Sequence, residues 1–225
     1  IRSFSQEVQM LVGERMSKPV LTISPDIPVQ DALARMRREK VRRYPVIDKN
    51  GKMVGIVTSS DLMNATPSEA TTLSVWEINY LLSKITVERV MSKDVLSTCE
   101  TCPIEDAALI MADKKIGGLP VIRGEEVVGI ITETDLFKLF IEMLGARVPG
   151  VRLSVDLEDK PGKLFDLTGV VCDLGGNIHG MGTMLGETTS TQRVTLKVSG
   201  VELETLRKAV EPVVVKIRDI RQSSG

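Results

Sequence analysis

Two short segments of the chain carry the same set of residues that could bind a phosphorylated sugar. Gly55-Ile56-Val57-Thr58-Ser59-Ser60-Asp61 and Gly129-Ile130-Ile131-Thr132-Glu133-Thr134-Asp135 both run from glycine through two aliphatic residues to threonine and aspartate. Each predicts a buried strand end that leads into a helix. Amides at a helix start and the positive end of its dipole suit a phosphate, hydroxyls can donate to it, and aspartate can accept from a ribose diol.

The same spacing of threonine and aspartate is also a helix-capping arrangement. A single occurrence would favour capping, but two occurrences in register, each after a Pro-Val-Ile strand, favour a binding site. The candidate residues in the two motifs are Thr58, Ser60, Asp61, Thr132, Thr134 and Asp135.

The motifs belong to a longer internal repeat. Met16-Ser17 returns as Met91-Ser92, and Pro45-Val46-Ile47 returns as Pro120-Val121-Ile122, both 75 positions later. The offset falls to 74 at the second motif because the preceding turn is one residue shorter. A unit of about sixty residues buries little surface alone, so the two copies are expected to pack as a pseudo-twofold pair.

Each copy is predicted to contain a strand, a helix, a hairpin and a second helix. Apolar residues at helical spacing predict the first helices over Val29–Glu39 and Ile104–Lys114. The residues expected to face inward are Val29, Leu33, Met36, Ala108, Ile110 and Met111. Hairpin turns are predicted at 48–51 and 123–126, and a helical connector at 66–85.

These features resemble the cystathionine-β-synthase (CBS) domain family in its paired form, the Bateman module. The opening Met-Ser, the central Pro-Val-Ile and the terminal glycine-to-aspartate motif all occur twice in order over residues 11–144. The resemblance implies adenosine derivatives bound between the copies, with Asp61 and Asp135 on ribose. It also implies that Thr22 and Ser97 flank the base.

The two clefts are expected to differ in charge. Arg42 and Arg43 match the family position where basic residues reach phosphates, and guanidinium groups suit that task. Gly117 and Gly118 stand there in the second copy. The first-copy site is therefore predicted to prefer AMP, ADP or ATP. The two arginines could instead form a solvated face or reach the other cleft.

A different pattern follows Val148-Pro149-Gly150. Alternating apolar residues, helical stretches and turns predict a βαββαβ order, with the final strand from Val213 to Ile220. Asp159-Lys160-Pro161-Gly162-Lys163-Leu164 and Gly176-Asn177-Ile178 resemble the ACT domain family, which has a ferredoxin-like fold. The resemblance implies an amino-acid site near Gly162, Leu164 and Asn177. Dimerisation without a ligand is the alternative.

The predicted fold class is therefore α/β (α+β), a tandem CBS pair with a C-terminal ACT domain, similar to the acetoin-utilisation protein B (AcuB) type. The predicted ranges are an N-terminal extension at 1–10, CBS domains at 11–65 and 86–145, the connector at 66–85 and the ACT domain at 151–221.

Composition excludes several other classes of protein. Lys plus Arg total 29 and Asp plus Glu total 30, which gives no electrostatic reason to expect nucleic acid or membrane partners. No apolar run is long enough to span a bilayer, so a cytoplasmic protein is expected. A single histidine, His179, supports neither a catalytic triad nor, with one Cys99-x-x-Cys102 pair, a zinc site. Reduced cysteines are expected.

We therefore predict a non-catalytic regulatory sensor that requires no cofactor and binds an adenine nucleotide as its regulatory ligand. An amino acid is a second expected ligand, and a homodimer and an unidentified regulated protein are the expected partners. The alternative is a scaffold that dimerises without any ligand.

Overall fold

The computed structural model describes residues 10–65 and 84–224. The predicted connector lies almost wholly outside these residues, as do residues 1–9. The described helices are α1 (Val12–Arg15), α2 (Val29–Glu39), α3 (Ser59–Asn64), α4 (Val87–Val90), α5 (Ile104–Lys114), α6 (Glu133–Met143), α7 (Lys163–Asp173) and α8 (Leu203–Val210). The strands are β1 (Arg43–Ile47), β2 (Met53–Thr58), β3 (Thr98–Cys99), β4 (Gly118–Arg123), β5 (Glu126–Thr132), β6 (Gly150–Glu158), β7 (Asn177–Leu185), β8 (Thr191–Ser199) and β9 (Lys216–Ser223).

The first repeat places α2 and α3 beside the antiparallel hairpin of β1 and β2. Its apolar cluster includes Val29 and Met36 of α2, Val46 of β1 and Leu62 of α3. α2 ends at Lys40, whose φ of 55° is in the left-handed region. The helix and hairpin predicted from periodicity are confirmed here.

The second repeat has the same order, with β3 parallel to β4 and β4 antiparallel to β5. Of the three apolar residues that marked the helical spacing of α5, the structure fully buries Met111. Ile104, Ala107 and Met111 are buried, whereas Ala108 and Ile110 are only partly covered. The buried positions match Val29, Ala32 and Met36 one repeat earlier, since the same face of each helix packs inward.

The opening segments of the two repeats are exchanged. The Val12 amide donates to the Cys102 carbonyl (3.0 Å), and the Val87 amide donates to the Ile27 carbonyl (2.9 Å). Ser17 pairs with Ile130 of β5, and Ser92 pairs with Ile56 of β2. Each Met-Ser segment therefore completes the other copy. These twice-repeated contacts confirm that the two repeats form one pseudo-twofold pair.

Glycines make this exchange possible where the chains approach closely. A Cβ added to Gly129 would collide with the thioether of Met16, and one added to Gly55 with that of Met91. The glycine that opens each motif thus admits the opening methionine of the other repeat. A steric reason, separate from ligand binding, accounts for this part of the motif.

The chain divides into two compact units, 1–136 and 137–225, so the boundary falls inside α6. The second unit contains four antiparallel strands in the order β7-β8-β6-β9. Helices α7 and α8 pack on the sheet around Leu153, Leu167 and Leu206. The last strand begins at Lys216, later than the Val213 predicted, because Glu211–Val213 form a 3-10 turn that contains Pro212.

Within the second unit, the end of α6 lies on one face of the sheet at Gly180 of β7. A Cβ at Gly180 would collide with the backbone of Leu144 and Gly145. Farther along that face, the Asp156 carboxylate is buried and accepts hydrogen bonds from Arg193 and Arg218.

In residues 10–65 and 84–224, the structure contains no helix of sufficient length and apolarity to cross a membrane.

Candidate nucleotide site

A cavity of about 340 Å³ lies in the first unit, between parts of both repeats. Small-molecule sites in proteins are typically about 300–1,000 Å³, so this cavity is large enough for a ligand of modest size. Its lining residues are Arg43, Ile56, Thr58, Asp61, Ser92, Asp94, Val95, Leu96, Lys115, Ile116, Gly117 and Gly118. The cavity thus combines a cationic group from each repeat with the carboxylates of Asp61 and Asp94 and several apolar side chains.

Thr58 and Asp61 form a reciprocal cap at the start of α3. The Thr58 amide and hydroxyl both donate to Asp61 Oδ2, at 2.8 Å and 2.7 Å, and the Asp61 amide donates to Thr58 Oγ1 at 3.2 Å. Both donations from Thr58 go to Oδ2, so the second carboxylate oxygen of this cavity-lining residue remains for a ligand. The capping alternative is therefore realised, and it orients the Asp61 carboxylate.

Three of the backbone amides at the start of α3 are already engaged within the protein. The amides of Thr58 and Asp61 serve the cap, and the Ser59 amide donates to the Arg42 carbonyl at 2.8 Å. The Thr58 hydroxyl also donates its hydrogen bond to Asp61. The groups in this cavity wall that can bind a phosphate through charge are Arg43 and Lys115.

The second motif repeats the cap. The Thr132 amide and hydroxyl donate to Asp135 Oδ2 at 3.0 Å and 2.7 Å. Asp135 is only 8% exposed, and the Glu133 amide donates to the Gly117 carbonyl at 3.3 Å. The structure thus uses both copies of the motif to end a strand and start a helix.

Arg43 reaches across from the first repeat to the second. Its guanidinium lies over Gly117 and Gly118, where added Cβ atoms would each be 2.6 Å from a guanidinium nitrogen. Burial lowers the pKa of Arg43 from its ordinary value, and the neighbouring carboxylate of Glu133 opposes that shift. Arg43 thus lines the cavity that also contains Thr58 and Asp61 of its own repeat, while the neighbouring Arg42 is exposed.

Several predicted residues do not line this cavity. Of the described residues, those that sequence reasoning proposed and the cavity wall does not include are Thr22, Arg42, Ser60, Ser97, Thr132, Thr134 and Asp135. From the predicted set, the wall of this cavity includes Arg43, Thr58 and Asp61. Thr22 and Ser97 precede Ile23 and Thr98, which are the buried residues of the opening strands.

Other lining residues were missed by sequence reasoning. Ser92 and Asp94–Leu96 reach the cavity because Ser92 pairs with Ile56 of β2. Lys115 ends α5 with a φ of 54°, a conformation that most side chains avoid. The signal available in the sequence was the recurrence of lysine at 40 and 115, together with the repeated Met-Ser.

The residues predicted for an amino-acid site lie at the ends of elements in the second unit. Gly162 is the N-cap of α7 with a φ of 88°, and Asn177 opens β7. Leu164 packs against the apolar core, so its side chain serves the fold. The Asn177 amide lies 3.4 Å from His179 Nε2, which in turn is 2.7 Å from the Ser199 hydroxyl.

The cysteine expectation was wrong for one pair. Cys99 and Cys102 form a disulfide, whereas Cys172 is free and exposed. The two cysteines are held three residues apart in the tight turn that receives the opening segment of the first repeat. Among the residues the structure describes, no group of His, Cys, Asp and Glu side chains could hold a metal ion.

Solved structures share the fold of the first unit. A putative acetoin utilization protein (AcuB) from Vibrio cholerae is 29% identical, with a TM-score of 0.51, over 61% of this chain and 95% of that chain. CBSX2, solved in complex with AMP, is 27% identical, with a TM-score of 0.50, over 59% of this chain and 97% of that chain.

Curated relatives also match this part of the chain. An L-aspartate semialdehyde sulfurtransferase from Methanocaldococcus jannaschii is 30% identical over 58% of this chain, and the match spans only 23% of that protein. The family model of the CBS domain matches residues 12–68 and 87–142, which together make up half of the sequence. The chain therefore belongs to the CBS domain family.

Proposed function

We propose that the cavity between the repeats binds an adenine nucleotide and that the chain is a non-catalytic regulatory sensor. The observation that carries this proposal is the convergence of Arg43, Lys115 and Asp61 on one cavity with apolar walls. A nucleotide monophosphate combines an anion, a sugar diol and a flat apolar base. The cavity offers a matching group for each of them.

The roles follow from the chemistry of the side chains. The free oxygen of Asp61 accepts hydrogen bonds from the ribose diol, because a carboxylate is an acceptor-only group. Arg43 and Lys115 attract the phosphate, and Arg43 can do so with two parallel hydrogen bonds. Ile56, Leu96 and Ile116 supply apolar surface for the base.

The bound AMP in CBSX2 supports this ligand class, since that protein shares both the family and the pair fold. AMP is the ligand we propose for the cavity of this chain. ADP and ATP are the next candidates, because Arg43 and Lys115 are both available to phosphate beside the carboxylates of Asp61 and Asp94. The AcuB type, the homodimer and the cytoplasmic location remain predictions.

We also propose that the second unit is an ACT-type domain. The βαββαβ order and the β7-β8-β6-β9 sheet support this proposal, as does the Asp-x-Pro-Gly turn before α7. An amino acid would then bind near Gly162 and Asn177. A rise in melting temperature with amino-acid concentration, assigned to the second unit, would test this ligand.

Isothermal titration with AMP tests the nucleotide proposal. Arg43→Ala should weaken binding about 10- to 100-fold, because a hydrogen bond to a charged group contributes about 1.5–3 kcal/mol. Arg42→Ala is the matched control, since Arg42 is exposed and outside the cavity wall. It should change the affinity less than about twofold if surface charge alone contributes little.

Two results would contradict the proposal. Equal losses in the Arg42 and Arg43 variants would mean that the arginines act only through general surface charge. No binding, together with a melting temperature that does not respond to AMP, ADP or ATP, would favour the ligand-free scaffold.

A further inference from the structure

The two repeats differ at two positions that meet in space. Arg43 of the first repeat corresponds to Gly118 of the second, and Ser59 corresponds to Glu133. A charged pair is therefore present in only one of the two equivalent combinations. Arg43 with Glu133 carries opposite charges, whereas Gly118 with Ser59 carries none.

The glycines create the space in which Arg43 and Glu133 approach each other. A Cβ at Gly117 would be 2.6 Å from Arg43 Nη2 and 3.0 Å from Glu133 Oε2. A Cβ at Gly118 would be 2.6 Å from Arg43 Nη1 and 2.8 Å from the Ile131 carbonyl. Any larger residue at either position would displace the guanidinium, so the Gly-Gly sequence and Arg43 fit as a unit.

Glu133 is an exposed carboxylate that acts on the partly buried Arg43 through its charge, without a direct ion pair. Burial makes the charged form of Arg43 less favourable, and Glu133 is the neighbouring charge that restores it. A phosphate that enters the cavity would offer Arg43 a second counter-ion. Arg43 lines the cavity, whereas Glu133 is not among its lining residues.

We propose that Glu133 is a specificity-determining residue that competes with ligand phosphate for Arg43. The proposal rests on the nucleotide site described above and adds that the Glu133 carboxylate weakens the binding of anionic ligands. A phosphorylated ligand must weaken the Arg43–Glu133 interaction, whereas an uncharged adenosine derivative need not. Glu133 is the first residue of α6, so the exchange of counter-ions acts directly on the start of that helix.

Titration of AMP and of adenosine into the full chain tests this role. Glu133→Gln should tighten AMP binding about tenfold, which corresponds to about 1.4 kcal/mol, as expected for unit charges several ångströms apart in a partly screened site. Adenosine affinity should change less than about twofold, because a neutral ligand gains nothing from a freed guanidinium. In the Arg43→Ala background, Glu133→Gln should give no gain.

Glu125→Gln is the matched control for net charge, because Glu125 is exposed in the β4–β5 turn. It should leave both affinities unchanged. Unchanged AMP affinity in Glu133→Gln would overturn the proposal while leaving the nucleotide site intact. Equal tightening of AMP and adenosine would also overturn it, since that pattern indicates a wider cavity. Wild-type protein that binds neither compound would instead remove the nucleotide site itself, and this inference with it.

Discussion

Val87→Ala should weaken the first repeat, although Val87 belongs to the second repeat in the sequence. Val87 begins α4 and is fully buried in the cluster that holds Val46 and Leu62. Loss of two methyl groups removes about 1.6 kcal/mol of transfer free energy, and the remaining cavity raises the cost to about 2–3 kcal/mol.

A double-mutant cycle distinguishes exchanged opening segments from unexchanged ones. Val46 on β1 and Val121 on β4 occupy the same repeat position and are both fully buried, so alanine removes the same atoms from each. Val87→Ala and Val46→Ala share one cluster and should be non-additive by about 0.5 kcal/mol or more. Val87→Ala and Val121→Ala should add within about 0.3–0.5 kcal/mol.

The free energy of unfolding of the first unit can be measured by urea denaturation of the full chain, with native-state hydrogen exchange to assign the change to a repeat. The reciprocal cycle starts from Val12→Ala, which should couple to Val121→Ala because α1 packs against β3 and β5, the two strands that flank β4 in the sheet. Coupling of Val87 to Val121, with additivity toward Val46, would refute the exchange of the opening segments.

Three further perturbations have definite expected outcomes. Gly129→Ala should destabilise the first unit by about 1–3 kcal/mol through its collision with Met16, and Met16→Ala should recover part of that loss in thermal melts. Burial alone would raise the pKa of Asp156, but hydrogen bonds from two arginines hold it below 3.8. The stability it contributes is thus present above that pH and lost as pH falls through the lower folded-state pKa, so the deficit of Asp156→Asn in urea titrations should shrink in acid. Reduction of Cys99–Cys102 should cost about 2 kcal/mol by the chain-entropy model for so short a loop, and a Cys99→Ser/Cys102→Ser double variant should show no response to dithiothreitol.

Local patterns were sufficient for elements whose residues are close in sequence. The spacing of Val29 and Met36 predicts α2 because one helix face must be buried, and Asp48–Gly51 predicts a turn because two apolar runs flank it. The predicted start of the last strand at Val213 was wrong, because Pro212 favours a short 3-10 turn and the extended strand begins only after it. The prediction of reduced cysteines was wrong for Cys99 and Cys102, because a turn brings the two together and their spacing in the sequence does not show that turn.

The candidate site was only partly predictable, for a physical reason. The repeated motif indicated Asp61 and Thr58, since a carboxylate and a hydroxyl at a strand end have recognisable chemistry. The sequence did not indicate which amides the cap would use, because those bonds depend on backbone geometry. It also did not show that Lys115 joins Arg43 in one cavity.

The sequence by itself determined the duplication, the order of elements within each repeat and the family to which the chain belongs. Each of these depends on residue types that recur at constant spacing. Tertiary structure alone decided that each opening segment completes the other repeat, and that Arg43 crosses to Gly117, Gly118 and Glu133. A sequence repeat shows which residues of the two copies are equivalent. It does not show whether a segment packs in its own copy or in the other one, because a pseudo-twofold axis makes the two sets of contacts alike.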